Sequence, residues 1–182
     1  MRPIGYLYKR VAGRPEWLAA SRVRDIYSLS GCISKNFADY ISYWKHNGFW
    51  LFDSPSLMRS LAREHSISLE GAKLFYYEAH ELEYGRERHG WNTYHPEAAF
   101  ATDIEVPNAA MLEGFDVATF SAGTAPECSP LSCNSCATEI ETNDHCLIST
   151  FEAARLAVEE GRFEHAEPGP YRIVAVYSVR DG

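Results

Sequence analysis

Cys146-Leu-Ile148, Ser149-Thr-Phe-Glu-Ala-Ala-Arg-Leu-Ala-Val-Glu-Glu160 and Tyr171-Arg-Ile-Val-Ala-Val-Tyr-Ser-Val179 read in order as strand, helix and strand. Ser149-Thr-Phe-Glu152 is a capping box, with the serine oxygen accepting a backbone N–H and the glutamate reaching back. Ala153, Leu156 and Ala157 continue the helix to Gly161, and 171–179 carries the strongest strand signal of the chain. About 96 residues earlier the same order recurs: strand Phe49–Phe52, helix 55–65 and strand Ala72–Glu83. The earlier helix is capped by Ser54, with Pro55 at its first position, where a missing N–H costs nothing. At that spacing Cys32 falls on Cys128, Leu51 on Leu147, Arg59 on Arg155, Glu64 on Glu160 and Ala79 on Ala175. Five identities are close to chance, so the recurrence is one of pattern.

Working outward, Ile4, Tyr6 and Tyr8 alternate as a first strand, Pro15 to Ser21 suits a short helix, and Asp25–Ser30 a short strand. Phe37, Tyr40, Ile41 and Trp44 recur at helical spacing, which predicts an amphipathic helix from Lys35 to His46. Thr102–Val106 and Phe115–Ser121 read as strands, residues 85–100 as a long polar loop and 123–145 as a cysteine-rich loop. The expectation is α+β: a single domain over 1–182, with a largely antiparallel sheet, three or four helices and two β–α–β halves related by a weak internal repeat.

Of 182 residues, 46% are hydrophobic and 23% charged, and no apolar run nears the roughly 18 residues of a membrane span. The first ten residues lack the long apolar core of a signal peptide, so a soluble, cytoplasmic protein is expected. The net charge of −8 argues against nucleic acid as a partner. Charge is uneven: six basic residues against Glu16 in 1–24, but thirteen acids against Arg155 and Arg162 in 103–167. Such an acidic stretch could steer a basic protein partner, and it equally serves solubility.

Five cysteines are an odd number, and without a secretory signal reduced thiols are expected. Cys128, Cys133, Cys136 and Cys146 stand as C-x4-C-x2-C-x9-C, with His145 beside the last. Thiolates are soft donors, and a turn-rich loop can bend several toward one ion, so Cys128, Cys133, Cys136, His145 and Cys146 are the candidate metal ligands, with zinc as the candidate metal. The opening C-x4-C-x2-C resembles the cluster-binding run of plant-type ferredoxins over nine residues only, which implies an iron–sulfur alternative that the rest of the chain does not support. Cys133-Asn-Ser-Cys136 could be a redox pair, but the surrounding charge is acidic and would raise a thiol's pKa. Cys32 reads as a small residue at a strand end. Glu78 and His80, on one face of a strand, with His89 and His95 in the loop beyond, form a second polar group that a solvated face explains equally well.

No G-x-S-x-G, P-loop or G-x-G-x-x-G pattern occurs. The leading expectation is a binding module for a partner protein or small ligand, with a cysteine loop able to hold a structural metal. The alternatives are a thiol- or metal-dependent enzyme using Cys128, Cys133 and His145, and an acidic inhibitor or immunity-like protein.

Overall fold

A computed structural model describes residues 1–40, 47–85, 89–95, 103–120 and 126–180, and puts the apolar run Tyr171–Val179 at the centre of a seven-stranded sheet. Its first six residues are all buried, so both faces of this strand are covered. That is why its middle, Ile173–Tyr177, is a continuous apolar run instead of an alternating one.

The strands are β1 (Arg2–Arg10), β2 (Lys35–Asn36), β3 (Lys73–Ala79), β4 (Leu82–Gly85), β5 (Gly90–Thr93), β6 (Ala110–Thr119) and β7 (Tyr171–Val179), and every pairing between them is antiparallel. β3 and then β4 run along one edge of β7, and β6 runs along the other. β1 extends the sheet beyond β3, β2 pairs the end of β1, and β5 pairs β4. The helices are α1 (Pro55–Glu64), the single turn α2 (Pro130–Cys133) and α3 (Phe151–Glu159). The broad reading of an α+β fold on a mostly antiparallel sheet therefore holds. Among the described residues, no helix is long and apolar enough to cross a membrane.

β1 and β6, which flank the central pair β3 and β7, share an unusual local construction. β1 bulges at Gly5, whose side chain is missing where Asn47 and Phe52 press against the strand; β6 bulges at Gly114 beside Asn143 and Ile148. Asn47 Nδ2 donates to Ile4 O at 2.8 Å, and its Oδ1 accepts from the N–H groups of Phe49 and Leu51. Asn143 Nδ2 donates to Glu113 O at 2.6 Å, and its Oδ1 accepts from the N–H groups of His145 and Leu147. Tyr6 and Phe52 then exchange both backbone hydrogen bonds, as do Phe115 and Ile148. Across the sheet, Gly5 lies opposite Tyr77, Tyr77 opposite Val176, and Val176 opposite Gly114.

Several local expectations are corrected. Residues 15–21 make one turn, Leu18 N–H donating to Pro15 O, because Leu18 and Ala20 are drawn separately into the core. Asp25–Ser30 forms no ladder beyond a bridge of Asp25 to Gly13; Asp25 and Tyr27 donate instead to the carbonyls of Asp144 and His145. Lys35 and Asn36 are claimed by β1, leaving a 3-10 turn at Phe37–Tyr40, and residues 41–46 of that expected helix lie outside the described residues. Phe49–Phe52 wraps around Asn47 and, among the described residues, bridges the sheet backbone at Phe52 instead of forming a strand.

The long strand 72–83 is divided, because the pairing with β7 slips by two residues across His80 and Glu81. Part of the expected polar loop is the β4–β5 hairpin, in which Trp91 packs edge-on to Tyr84 and donates to Glu159; residues 86–88 and 96–100 lie outside the described residues. Residues 103–106 are not a strand, since Asp103 and Glu105 are tied by their N–H groups to Asp53. β6 begins at Ala110, earlier than expected. Thr150, one residue past Ser149, caps α3 by accepting from Ala153 N–H at 3.2 Å, while Ser54 caps α1 as read.

Candidate metal centre

The sulfur atoms of Cys32, Cys128 and Cys133 lie within 4.8 Å of one another. They come from two segments far apart in the chain, each anchored at the end of a sheet strand. Cys128 bridges Thr119 at the end of β6, and α2 then turns Cys133 back toward it, with Cys133 N–H donating to Ser129 O. Cys32 follows the stretch 28–30, which lies over the end of β1.

The thiols have polar surroundings of graded exposure. Cys32 is exposed, Cys133 half-buried and Cys128 buried. Cys32 Sγ donates to Glu127 O at 3.4 Å, Cys128 Sγ to Asn134 Oδ1 at 3.1 Å, and Cys133 Sγ stands 3.5 Å from Ser30 Oγ. Asn134 is itself oriented by Glu167, to which its Nδ2 donates at 3.1 Å. Hydrogen bonds from Cys128 and Cys133, with smaller help from Ser30 and Lys9, favour the Cys32 thiolate and pull its pKa down. Sharing its proton with Cys133 and Cys32 holds Cys128 far above the ordinary thiol range. A soft cation binding the three sulfurs would displace their thiol protons.

Of the residues expected from sequence, Cys128 and Cys133 join this group and Cys136, His145 and Cys146 stand apart from it among the described residues. Cys136 and Cys146 are packed into a hydrophobic cluster with Leu131, Val117 and Ile173. Burial pushes the Cys136 thiol up to about 11 and the Cys146 thiol up to about 12. His145 stacks on Tyr27 with ring centroids 4.0 Å apart and binds Asp25 through Nδ1 at 2.5 Å. The second polar group does not assemble: Glu78 accepts from the hydroxyls of Tyr76 and Tyr177, and His80 sits edge-on to Trp91 and Phe151. Cys32 is the residue that sequence reasoning missed. Its only signal was a thiol after an extended segment, 96 positions from its partner.

These environments predict an order of reactivity. In a brief exposure to an alkylating reagent at neutral pH, Cys32 reacts first, and Cys136 and Cys146 react only after unfolding. Peptide mass mapping checks this, and labelling of native Cys146 at the rate of Cys32 would contradict it.

No family model, no curated protein and no solved structure matches the chain.

Proposed function

We propose that this protein is a metal-binding module whose centre is the thiol trio Cys32, Cys128 and Cys133, with zinc as its ion. The observation that carries the reading is the convergence of three sulfurs within 4.8 Å from two distant segments, with no disulfide between them. Zinc bound by thiolates at about 2.3 Å sets its sulfurs roughly 3.8 Å apart, within reach of small side-chain rotations. Three protein ligands leave a fourth position for solvent or a small ligand, the pattern of zinc sites that exchange or activate what they bind. Five free cysteines suit a reducing compartment such as the cytoplasm. A thiol enzyme acting through Cys32 is the second reading, favoured by the lowered pKa of that exposed thiol.

The halves of the chain, we further infer, are copies of one β–α–β unit, related by a two-fold axis passing between Tyr77 and Val176. The matching asparagines, bulged glycines and bridges support this reading. The trio sits where the copies differ: β1 ends against Lys35–Asn36 and β6 against Cys128.

The test is to purify the protein without added metal or chelator and measure bound metal and reactive thiols on one sample. About one zinc per chain is expected, with Cys32 and Cys133 protected until the ion is stripped. Zinc should be lost as pH falls, because the thiolates must take up protons to release it. A metal-free protein whose Cys32 labelling is unchanged by added zinc would overturn the metal reading.

A further inference from the structure

Two charged side chains lie wholly buried beneath the thiols, Lys9 on β1 and Asp116 on β6. Lys9 Nζ donates to the carbonyls of Ser28, Leu29 and Ser30, the last at 2.9 Å. Asp116 Oδ2 accepts from Leu29 N–H at 2.7 Å and from Ser129 Oγ at 2.6 Å. Ser129 Oγ in turn accepts from Ser30 N–H at 3.3 Å. Lys9 therefore holds the segment leading to Cys32 over β1, and Asp116 joins that segment to Ser129, between Cys128 and Cys133.

The sheet does not need these charges. Counting four residues on from the bulged glycines, Lys9 in β1 corresponds to Ala118 in β6; counting two, Asp116 corresponds to Leu7. Ala118 and Leu7 are as deeply buried and wholly apolar. Removing a charge from water costs far more than burying a methyl group, so charges at positions that apolar residues can fill answer some demand other than packing. Asp116 Oδ1 has no hydrogen-bond partner among the described residues, a further cost that packing does not explain.

We propose that Lys9 and Asp116 are positioning residues of the thiol centre, Lys9 holding residues 28–30 over β1 and Asp116 tying them to Ser129, so that Cys32 faces Cys128 and Cys133. This rests on reading the trio as a metal centre. Outer groups that fix the first ligands typically change metal affinity by about 10–100-fold.

Two mild variants test it: Asp116→Asn, which keeps the shape of the side chain, and Ser129→Ala, which removes the hydroxyl that links Ser30 to Asp116. Each is loaded with zinc for affinity and with cobalt(II) for its thiolate charge-transfer absorption, alongside circular dichroism and thermal unfolding. The expected result is cooperative folding with affinity lowered about 10–100-fold and a weakened charge-transfer band, since a misaligned Cys32 no longer coordinates. A merely structural role would move the melting temperature and leave affinity and spectrum at wild-type values, and that outcome in either folded variant overturns the proposal. Should the wild type bind neither ion, the metal reading fails on its own; the positioning role is then judged by alkylation of Cys32, which should slow several-fold in both variants, and unchanged rates would overturn it.

Discussion

Replacing Cys133 by serine is expected to empty the metal centre while leaving the fold intact. The hydroxyl is a poor ligand for a soft ion, and two remaining thiolates hold zinc weakly. Cys32→Ser and Cys128→Ser should behave alike, each lowering affinity by more than the roughly 10–100-fold typical of outer-shell changes. Cys136→Ser and Cys146→Ser should instead retain the ion, because both thiols lie in the hydrophobic cluster away from the trio. Cys146→Ser should cost about 1–3 kcal/mol of stability, the price of a buried hydroxyl without a partner. Elemental analysis with thermal unfolding across the five variants separates these cases. Loss of metal from a folded Cys136→Ser or Cys146→Ser protein would restore the C-x4-C-x2-C-x9-C ligand set and count against the trio.

Alanine at Gly5 or Gly114 should be among the most damaging single changes in the protein. Both glycines have positive φ, +125° and +146°, where a side chain is strained. A Cβ at Gly5 would stand 2.6 Å from Phe52 O, and one at Gly114 2.8 Å from Leu147 Cβ and 2.9 Å from Ile148 O. Backbone and a packed core side chain cannot withdraw as a flexible chain end would. The strained conformation alone costs on the order of 1–3 kcal/mol, and the overlap should bring each loss to about 4 kcal/mol. Against a total of roughly 5–15 kcal/mol this is a large fraction. Denaturant unfolding measures it. Losses under about 1 kcal/mol would mean that the bulges relax freely, and a large loss at one glycine only would weaken the proposed equivalence of the halves.

Where sequence reading succeeded, the signal was local. Ser54 and Pro55 start α1 by satisfying its first N–H groups and presetting its backbone, and Met58 and Ala62 are buried one turn apart as their spacing requires. Six of the nine residues 171–179 are β-branched or aromatic, the types that favour a strand. Failures came where partners decide. His80 and Glu81 look like strand residues, but the register slip against β7 takes them out of the ladder. Ser149 and Thr150 are both adequate caps, and the position of the preceding Ile148, pinned to Phe115, selects the second.

The recurrence at 96 residues was visible as a pattern, and Asn47 and Asn143 stand at that same spacing. The bulged glycines do not, being 109 residues apart, and Tyr77 and Val176 are 99 apart. Insertions and deletions between elements blurred the comparison, so equivalences that backbone pairing makes plain were lost at any single offset.

By itself the sequence determined the strongly periodic elements, the α+β class and a cysteine-rich segment fit for soft-metal chemistry, because these depend on residues within a turn or two of each other. Tertiary structure alone decided which thiols meet. β1 and β6 flank the central pair β3 and β7; Lys9 on β1 holds the segment leading to Cys32, and Asp116 on β6 ties that segment to Ser129 beside Cys128. Cys136 and Cys146, closer to Cys133 along the chain than Cys32 is, were drawn instead into the hydrophobic core, since their surroundings are apolar and a buried thiol packs as a small hydrophobe.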